Sequence, residues 1–440
     1  MSSLSEDISG PSRKGHCGAA GAPWTLTGYY HPAGTSYGVF MDFTPSPRAQ
    51  ELHASAERFI AESVRPVEAE YRAAIAADPT TIPPLVAALK DEARELGLWN
   101  LFLPDPRFGP GVSNVDYAPV AELTGTAMPL APEVMNCNAP DTGNMEVLVH
   151  YGSPEQQERW LTPLLNGEVR SAFCMTEPDV ASSDASNMAA TAEVVGDEVV
   201  LNGRKWWSTG IGHPDCEVLI FMAVTDPQAH KYQRHSMVLV PRDTPGVEVE
   251  RLLPVFGYYD EPFGHGTVSF TDVRLPKSAI IAGPGRGFEI AQGRLGPGRI
   301  HHCMRLIGLA EMALRLACER ALGRVAFGKP IANLGGNRER IAEARISINQ
   351  ARLLVMHAAW ALDTKGIKGA RSEVSQIKAV VPRMACDVLD MAIQIHGGAG
   401  VSDDFPLAEA YAGARTLRLA DGPDEVHLGL VARDELRKYS

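Results

Sequence analysis

Residues 193–210 read EVVGDEVVLNGRKWWSTG, and this stretch carries a clear β-hairpin pattern. Valine-rich runs stand on both sides of Gly196 and Asp197, a dipeptide of the kind that forms tight hairpin turns. Further runs typical of strands follow, separated by Gly, Asp-Pro and Pro-Gly breaks, at residues 218–224, 237–241, 247–252 and 267–270. The pattern predicts a small antiparallel β domain over residues 171–284.

Helical spacing of apolar residues precedes this β region. Leu52, Phe59 and Val64 belong to one such series, and similar runs occupy residues 83–96, 145–151 and 154–165. An N-terminal α-helical domain is therefore predicted for residues 44–170.

Longer helical runs follow the β region, at residues 305–325, 338–364 and 370–396. They exceed the mean helix of about 11–12 residues, which favours a helical bundle over residues 285–440. Because helices and strands do not alternate along the chain, a parallel Rossmann sheet is disfavoured.

Composition excludes several classes of function. The 440 residues include 41 Lys and Arg against 53 Asp and Glu, a net charge of −12 that disfavours nucleic acid and anionic membrane surfaces as partners. The uncharged stretch at residues 15–41 is broken by Gly, Pro and Ser, so no membrane insertion is expected. The seven cysteines form no CxxC pair, which favours reduced thiols and a cytoplasmic location. Residues 1–43 are predicted to be an N-terminal extension without a core of their own.

Some motifs have ordinary explanations. GTSYG at residues 34–38 matches the GxSxG of hydrolases, but no strand precedes it and no helix follows it. GPGRG at residues 283–287 is better explained as a turn between domains than as a nucleotide loop. Neighbouring residues of a helix point about 100° apart, so His301, His302 and Cys303 are not expected to share a metal ion. No metal site is predicted.

Other segments have the chemistry of a cofactor site. FCMTEPDVASSD at residues 173–184 and KWWSTG at 205–210 combine hydroxyl groups with adjacent Trp rings, which suits a flat conjugated ring, although packing is the alternative. RVAFGKPI at 324–331 places an Arg where it can clamp a phosphate or simply end a helix. QIHGGAGV at 394–401 exposes backbone donors after a helix, or is a plain helix stop.

Together these segments resemble the acyl-CoA dehydrogenase family, in order from about Ser46 to the C-terminus. RLADGPDEVHLG at residues 418–429 completes the set, as the segment that carries the family's catalytic base. The loop TEPDVASSD and the sequence ADGPDEVH look like the subgroup that contains human members 10 and 11 and bacterial relatives.

The resemblance implies an α+β fold with an N-terminal helical domain, a central antiparallel β domain and a C-terminal four-helix bundle. It also implies FAD bound between the β domain and the bundle, and a homodimer or homotetramer in which a second subunit touches the cofactor. The FAD contacts that it assigns are Phe173, Met175, Thr176, Ser182, Ser183, Trp206, Trp207, Ser208, Arg324, Gln394, Gly397, Gly398, Pro423 and Glu425. Of these, Arg324, Gln394 and Gly398 would bind the FAD of the partner subunit.

By the same resemblance Asp421 is the catalytic base, where most of the family has Glu. Some members place the base on a bundle helix, but the matching position here is Gly298, which cannot act as one. Substrate contacts are expected from Ser183, Gly298, Arg299 and Gly422, and Arg299 either orients Asp421 or forms a structural ion pair. Burial of the Asp421 carboxylate is expected to raise its pKa.

The implied activity is the α,β-desaturation of an acyl-CoA to a trans-2-enoyl-CoA, as in fatty acid β-oxidation, with electrons passed to electron-transfer flavoprotein. One alternative is an oxidase of the same fold that acts on acyl-CoA or a nitroalkane, because related nitroalkane oxidases also use an Asp base. The other is a non-catalytic acyl-CoA-binding protein. The only support for this last alternative is the long N-terminal extension together with Pro423, Asp424 and Glu425, which replace the small hydroxyl and amide residues that usually follow the base.

Overall fold

The structure, a computed structural model, describes residues 41–440, except for the side chains of residues 295–297. Residues 1–40 of the predicted extension, and with them the GTSYG motif, lie outside the described residues.

Short helices form the N-terminal part of the described chain. Serine side chains cap several of them: Ser46 accepts a hydrogen bond from the backbone N–H of Ala49, and Ser113 accepts one from that of Asp116. Their bounds are α1 Pro47–Phe59, α2 Glu68–Ala77, α3 Pro84–Glu95, α4 Asn114–Gly125, α5 Leu130–Val134, α6 Asp141–Tyr151, α7 Pro154–Gln156 and α8 Thr162–Asn166.

A mixed β-sheet follows these helices. Its strands are β1 Arg170–Cys174, β2 Thr191–Val195, β3 Glu198–Thr209, β4 Cys216–Val224, β5 His235–Pro241, β6 Val247–Leu252 and β7 His265–Pro276. The hairpin predicted around Gly196 and Asp197 is confirmed as the antiparallel pair β2 and β3. The sheet order is β1-β4-β2-β3-β7-β6, with β5 on β4, and β1 runs parallel to β4, a pairing that the local sequence pattern did not predict.

Long helices dominate the C-terminal part, as predicted. The small hairpin of β8 (Val325–Ala326) and β9 (Lys329–Pro330) interrupts them after the first, and their bounds are α9 Gly287–Gly323, α10 Asn337–Gly369, α11 Arg371–His396, α12 Leu407–Thr416 and α13 Asp424–Leu436. The predicted order of helices, sheet and helices is therefore confirmed. Among residues 41–440, no helix is long and apolar enough to cross a membrane.

Helices α4 and α9 touch through their backbones. A Cβ atom added to Gly308 would lie 1.8 Å from the carbonyl oxygen of Glu122, and one added to Gly125 would lie 2.0 Å from that of Arg305. Real side chains do not approach this closely, so glycine is required at both positions. These glycines fix how α9 lies against the N-terminal helices.

Ion pairs join β1 to the N-terminal helices inside the protein. Arg170, 2% exposed, pairs with Glu133 and, at 3.0 Å, with Asp141, and Lys90 lies 2.9 Å from Glu133. These cations hold the pKa of Glu133 at about 2 although burial alone would raise it. The start of β1, which leads into the predicted flavin loop, is thereby tied to the helical layer.

Candidate active site

A cavity of about 1280 Å³ is lined by residues of the sheet, of α9 and of the C-terminal helices. Most residues predicted for the cofactor and substrate contribute to its wall: Phe173, Met175, Thr176, Ser182, Ser183, Trp206, Trp207, Gly298, Arg299, Asp421, Gly422 and Pro423. Segments far apart in sequence therefore meet at one place.

The remaining predicted residues lie outside this cavity. Ser208 is fully buried and does not line the cavity, whereas Thr209 does. A register shift of β3 between Lys205 and Ser208 interrupts the regular alternation of side chains at this point. Glu425 is exposed at the start of α13 and does not line the cavity. Also exposed and away from the cavity are Arg324, Gln394, Gly397 and Gly398. The assignment of all four to FAD, and of Arg324, Gln394 and Gly398 to the FAD of a partner subunit, stays a prediction.

The segment of residues 175–184, here named the TEP loop, is held by a buried ion pair. Lys205 Nζ donates to Glu177 Oε1 at 2.6 Å and to the carbonyl oxygens of Met175 and Met222 at 3.0 and 2.6 Å. Glu177 accepts in addition the backbone N–H groups of residues 189 and 190 at 2.8 and 3.1 Å. Burial lowers the pKa of Lys205, and Glu177 opposes this effect. The pair joins the start of the loop, and residues 189 and 190 that follow the loop, to the centre of the sheet.

We expect Lys205→Met to destabilise the protein and to weaken its binding of the FAD that the sequence resemblance implies, because it leaves the Glu177 carboxylate buried without its cation. Loss of one partner of a buried pair costs about 3–5 kcal/mol of unfolding free energy. Urea unfolding and the flavin retained after gel filtration measure the two effects. Arg204→Met is the matched control on the same strand: the Arg204 side chain is 48% exposed and pairs with Glu250, so its loss should leave the free energy of unfolding almost unchanged. Equal effects of the two substitutions would contradict the anchoring role.

Asp421 lies in a tight turn between α12 and α13, with a φ of 56°. Its backbone carbonyl accepts hydrogen bonds from Arg299 Nε at 2.9 Å and from His427 Nε2 at 3.3 Å. Gly422 follows with a φ of 103°, and a Cβ there would lie 2.9 Å from His427 Nε2, so the turn requires glycine. Within the described part of the chain, the backbone N–H of Asp421 has no hydrogen-bond acceptor.

The Asp421 carboxylate is 14% exposed and is surrounded by cations. Burial alone would raise its pKa, but the cations Arg294, Lys378 and Arg299, together with the neighbouring imidazole of His302, lower the pKa below the ordinary value of an aspartate. The expectation of a raised pKa is therefore wrong, because it considered burial without the charges that other helices bring. Asp421 is ionised in the substrate-free protein.

Several residues of this site were missed from the sequence. Thr209, Arg294 and Lys378 had no motif of their own, and His302 was considered only as a metal ligand. In the structure His302 lies beside Asp421, whereas His301 packs between the rings of Phe102 and Tyr117. A recurring spacing on α9, with Arg294, Gly298 and His302 four residues apart, was the available signal.

Family models match nearly the whole described chain. The N-terminal, middle and C-terminal domains of acyl-CoA dehydrogenases match residues 46–168, 172–273 and 285–436. The chain belongs to the acyl-CoA dehydrogenase family. The resemblance and the fold class inferred from the sequence are confirmed by these matches.

Individual acyl-CoA dehydrogenases and related proteins are similar over most of the chain. FadE2 of Mycobacterium tuberculosis is 52% identical, over 90% of this chain and 98% of that protein. Acyl-CoA dehydrogenase family member 10 of Mus musculus is 53% identical over 90% of this chain, and the chain spans only 37% of that relative's length. A solved structure of a family protein from Mycobacterium abscessus is 66% identical with a TM-score of 0.87, and the match covers 90% of this chain and all of that one.

The family makes FAD the expected cofactor, and the cavity wall suits a flavin. Trp206 Nε1 is buried in this wall and has no hydrogen-bond partner among the described residues. The backbone N–H of Trp206 donates to the carbonyl oxygen of Thr176 at 3.0 Å, and this hydrogen bond aligns β3 with the TEP loop. The cavity is larger than the usual ligand pocket of about 300–1,000 Å³, as a dinucleotide together with a substrate requires. The TEP loop, Trp206 and Thr209 are the residues that would hold the isoalloxazine ring.

Proposed function

We propose that this protein is an FAD-dependent acyl-CoA dehydrogenase that converts an acyl-CoA to a trans-2-enoyl-CoA and passes the electrons to electron-transfer flavoprotein. The observation that carries the proposal is the ionised Asp421 carboxylate inside the cavity that the TEP loop also lines. A carboxylate at this place is a general base for the proton alpha to the thioester carbonyl.

Removal of that proton requires stabilisation of the negative charge that develops on the thioester oxygen. The Asp421 N–H is available for this role because it has no acceptor within the described residues. Arg299 and His427 hold the carbonyl of the same residue, so the turn that presents this N–H is fixed before substrate binds. Bound FAD would supply the acceptor for the hydride that leaves the beta carbon.

The exposed residues Arg324, Gln394 and Gly398 are proposed to bind the FAD of a partner subunit in a homodimer or homotetramer. Their exposure in the single chain supports this assignment. The six cysteines in the described region are free thiols, which supports a reducing, cytoplasmic location. In this setting the enzyme would act in fatty acid β-oxidation.

Anaerobic mixing of the flavin-loaded protein with a panel of saturated, branched and hydroxylated acyl-CoA esters tests the proposal. We expect at least one ester to bleach the flavin absorbance and to yield its 2-enoyl-CoA, with reoxidation faster by electron-transfer flavoprotein than by oxygen. Faster reoxidation by oxygen would indicate an acyl-CoA oxidase. Peroxide formed from a nitroalkane, without bleaching by any acyl-CoA, would indicate a nitroalkane oxidase. A colourless protein that cannot be reconstituted with FAD would indicate a binding protein without catalysis.

A further inference from the structure

Three residues of α9 lie on one helical face beside the carboxylate of Asp421. Arg294, Gly298 and His302 are spaced four residues apart, so they follow one another along the helix at about one turn each. The middle position has no side chain, and a Cβ added to Gly298 would lie 3.7 Å from Asp421 Oδ2. The carboxylate thus lies over the glycine, between a cation and an imidazole.

Each carboxylate oxygen faces a different one of these neighbours. Arg294 Nη1 lies 3.5 Å from Oδ1 of Asp421, and His302 Nε2 lies 3.6 Å from Oδ2. Both distances exceed the usual 2.7–3.2 Å of an N–H···O hydrogen bond. The carboxylate is therefore oriented by charge and dipole while its lone pairs stay available for a proton.

Both neighbours are themselves held in place. The Arg294 guanidinium lies 4.0 Å from the ring centre of Phe173, and its Nε donates to Asn144 Oδ1 at 3.3 Å. Arg305 Nη2 lies 3.4 Å from His302 Nδ1. Because a guanidinium only donates, His302 Nδ1 accepts, and Nε2 carries the hydrogen that points toward Asp421.

We propose that Arg294 and His302 are positioning residues for Asp421, which fix the plane of its carboxylate over Gly298 and keep it ionised. The inference rests on the proposed function, in which Asp421 is the base. Arg294 also connects the base to β1, because it stacks on Phe173, two residues before the TEP loop begins.

Other titratable groups face Asp421 and remain when either residue is replaced. Arg299 and His427 bind its backbone carbonyl, and Lys378 of α11 donates to the carbonyl of Leu417. Cys303 also lies within electrostatic reach of Asp421, but burial raises the pKa of its thiol to about 12, so it is neutral. On the other side, Glu146 and Asp141 of α6 lie within electrostatic reach of Arg294, and burial raises the pKa of Glu146 to about 8 although Arg294 opposes this effect. None of these groups occupies the places of Arg294 and His302 beside the carboxylate oxygens.

The sign of the expected pH effect follows from these charges. In the wild type Arg294 is the first of the cations that lower the pKa of Asp421 against the effect of burial. Without Arg294 burial is less opposed, so the pKa rises and the base is protonated at higher pH. An opposite charge at this range shifts a pKa by about 1–3 units, so the acid limb of kcat/KM should move upward by about one pH unit or more. Burial lowers the pKa of His302 to about 3, so it acts as a neutral donor and its loss should give a smaller shift in the same direction.

The experiment compares Arg294→Met, Arg294→Lys, His302→Leu and His302→Gln with the wild type. It measures kcat/KM for the best acyl-CoA against pH, and, with the flavin reduced by dithionite, the incorporation of deuterium at the alpha carbon in D₂O. We expect both profiles to shift upward in the Met and Leu variants and to return toward the wild type in the Lys and Gln variants. The surface substitution Arg274→Met, which breaks an exposed pair with Glu198, should leave both profiles unchanged.

If the wild-type protein dehydrogenated no acyl-CoA ester, this result would contradict the proposed function itself. An active Arg294→Met enzyme whose two profiles coincide with those of the wild type would contradict only the positioning role. Equal loss of rate at every pH in the Met and Lys variants, without a shift, would also contradict it, since that result indicates a structural effect. Circular dichroism and thermal unfolding confirm that each variant is folded.

Discussion

Replacement of Asp421 by Asn is expected to reduce the rate of flavin bleaching by acyl-CoA by about 10²–10⁴-fold, the usual contribution of a general base. The amide has nearly the same shape as the carboxylate, but it cannot accept the alpha proton. The backbone N–H of residue 421 is retained, so substrate binding should persist. Stopped-flow absorbance measures the rate, and the spectral change of the flavin on ligand binding measures the affinity.

The control for this prediction is Asp403→Asn, which removes a carboxylate from an exposed position outside the cavity. It should bleach at the wild-type rate. If Asp421→Asn bleached within a few fold of the wild type, another group would have to remove the proton, and the assignment of the base would be wrong.

Replacement of Gly308 by Ala is expected to destabilise the protein by about 3 kcal/mol or more, the upper end of the range for overpacked cores. The added methyl would overlap the Glu122 carbonyl oxygen, and this atom belongs to a helix backbone that cannot rotate away. Helices α4 and α9 would have to separate. Urea unfolding at fixed protein concentration measures the change, and the Tm should fall in parallel.

Gly429→Ala is the matched control, since it makes the same substitution inside α13 at an exposed position with nothing within 4 Å of the added Cβ. There alanine should stabilise the helix by about 0.5–1 kcal/mol. Stability of Gly308→Ala equal to that of the wild type would mean that the two helices do not touch in solution as they do in the structure.

Local sequence patterns predicted local structure well. The β2–β3 hairpin was predictable because its turn and both its strands lie within residues 191–209. The parallel pairing of β1 with β4 was not, because nothing within residues 170–174 specifies a partner more than forty positions away. Helix α9 was predicted from residue 305 onward, whereas it begins at Gly287 and passes through the sequence GRLGPGRI, whose glycines and proline are typical of a break.

In the candidate site, too, local features were predicted from the sequence, and contacts between distant segments were not. Motifs predicted the TEP loop, the Trp pair and the base, and these do line one cavity. The electrostatic environment of the base was not predictable, because Arg294, His302 and Lys378 come from α9 and α11 and carry no local motif. Ser208 belongs to a segment that lines the cavity, but its own side chain is buried away from the cavity, and Thr209 lines it. The strand β3 has a register shift between Lys205 and Ser208, so a regular alternation of side chains could not place these residues from the sequence.

The contact between α4 and α9 has a mechanical consequence. Gly308 follows Arg294 by fourteen residues in one unbroken helix. About 21 Å of helix therefore joins the backbone contact with α4 to Arg294, which is proposed to position the Asp421 carboxylate. If α9 moved along its axis, the backbone contact between α4 and α9 would be disrupted. The same movement would shift Arg294 and His302 away from the two carboxylate oxygens of Asp421. The close packing of α9 against α4 at Gly308 therefore helps to fix the position of Arg294 and His302 beside the carboxylate of Asp421.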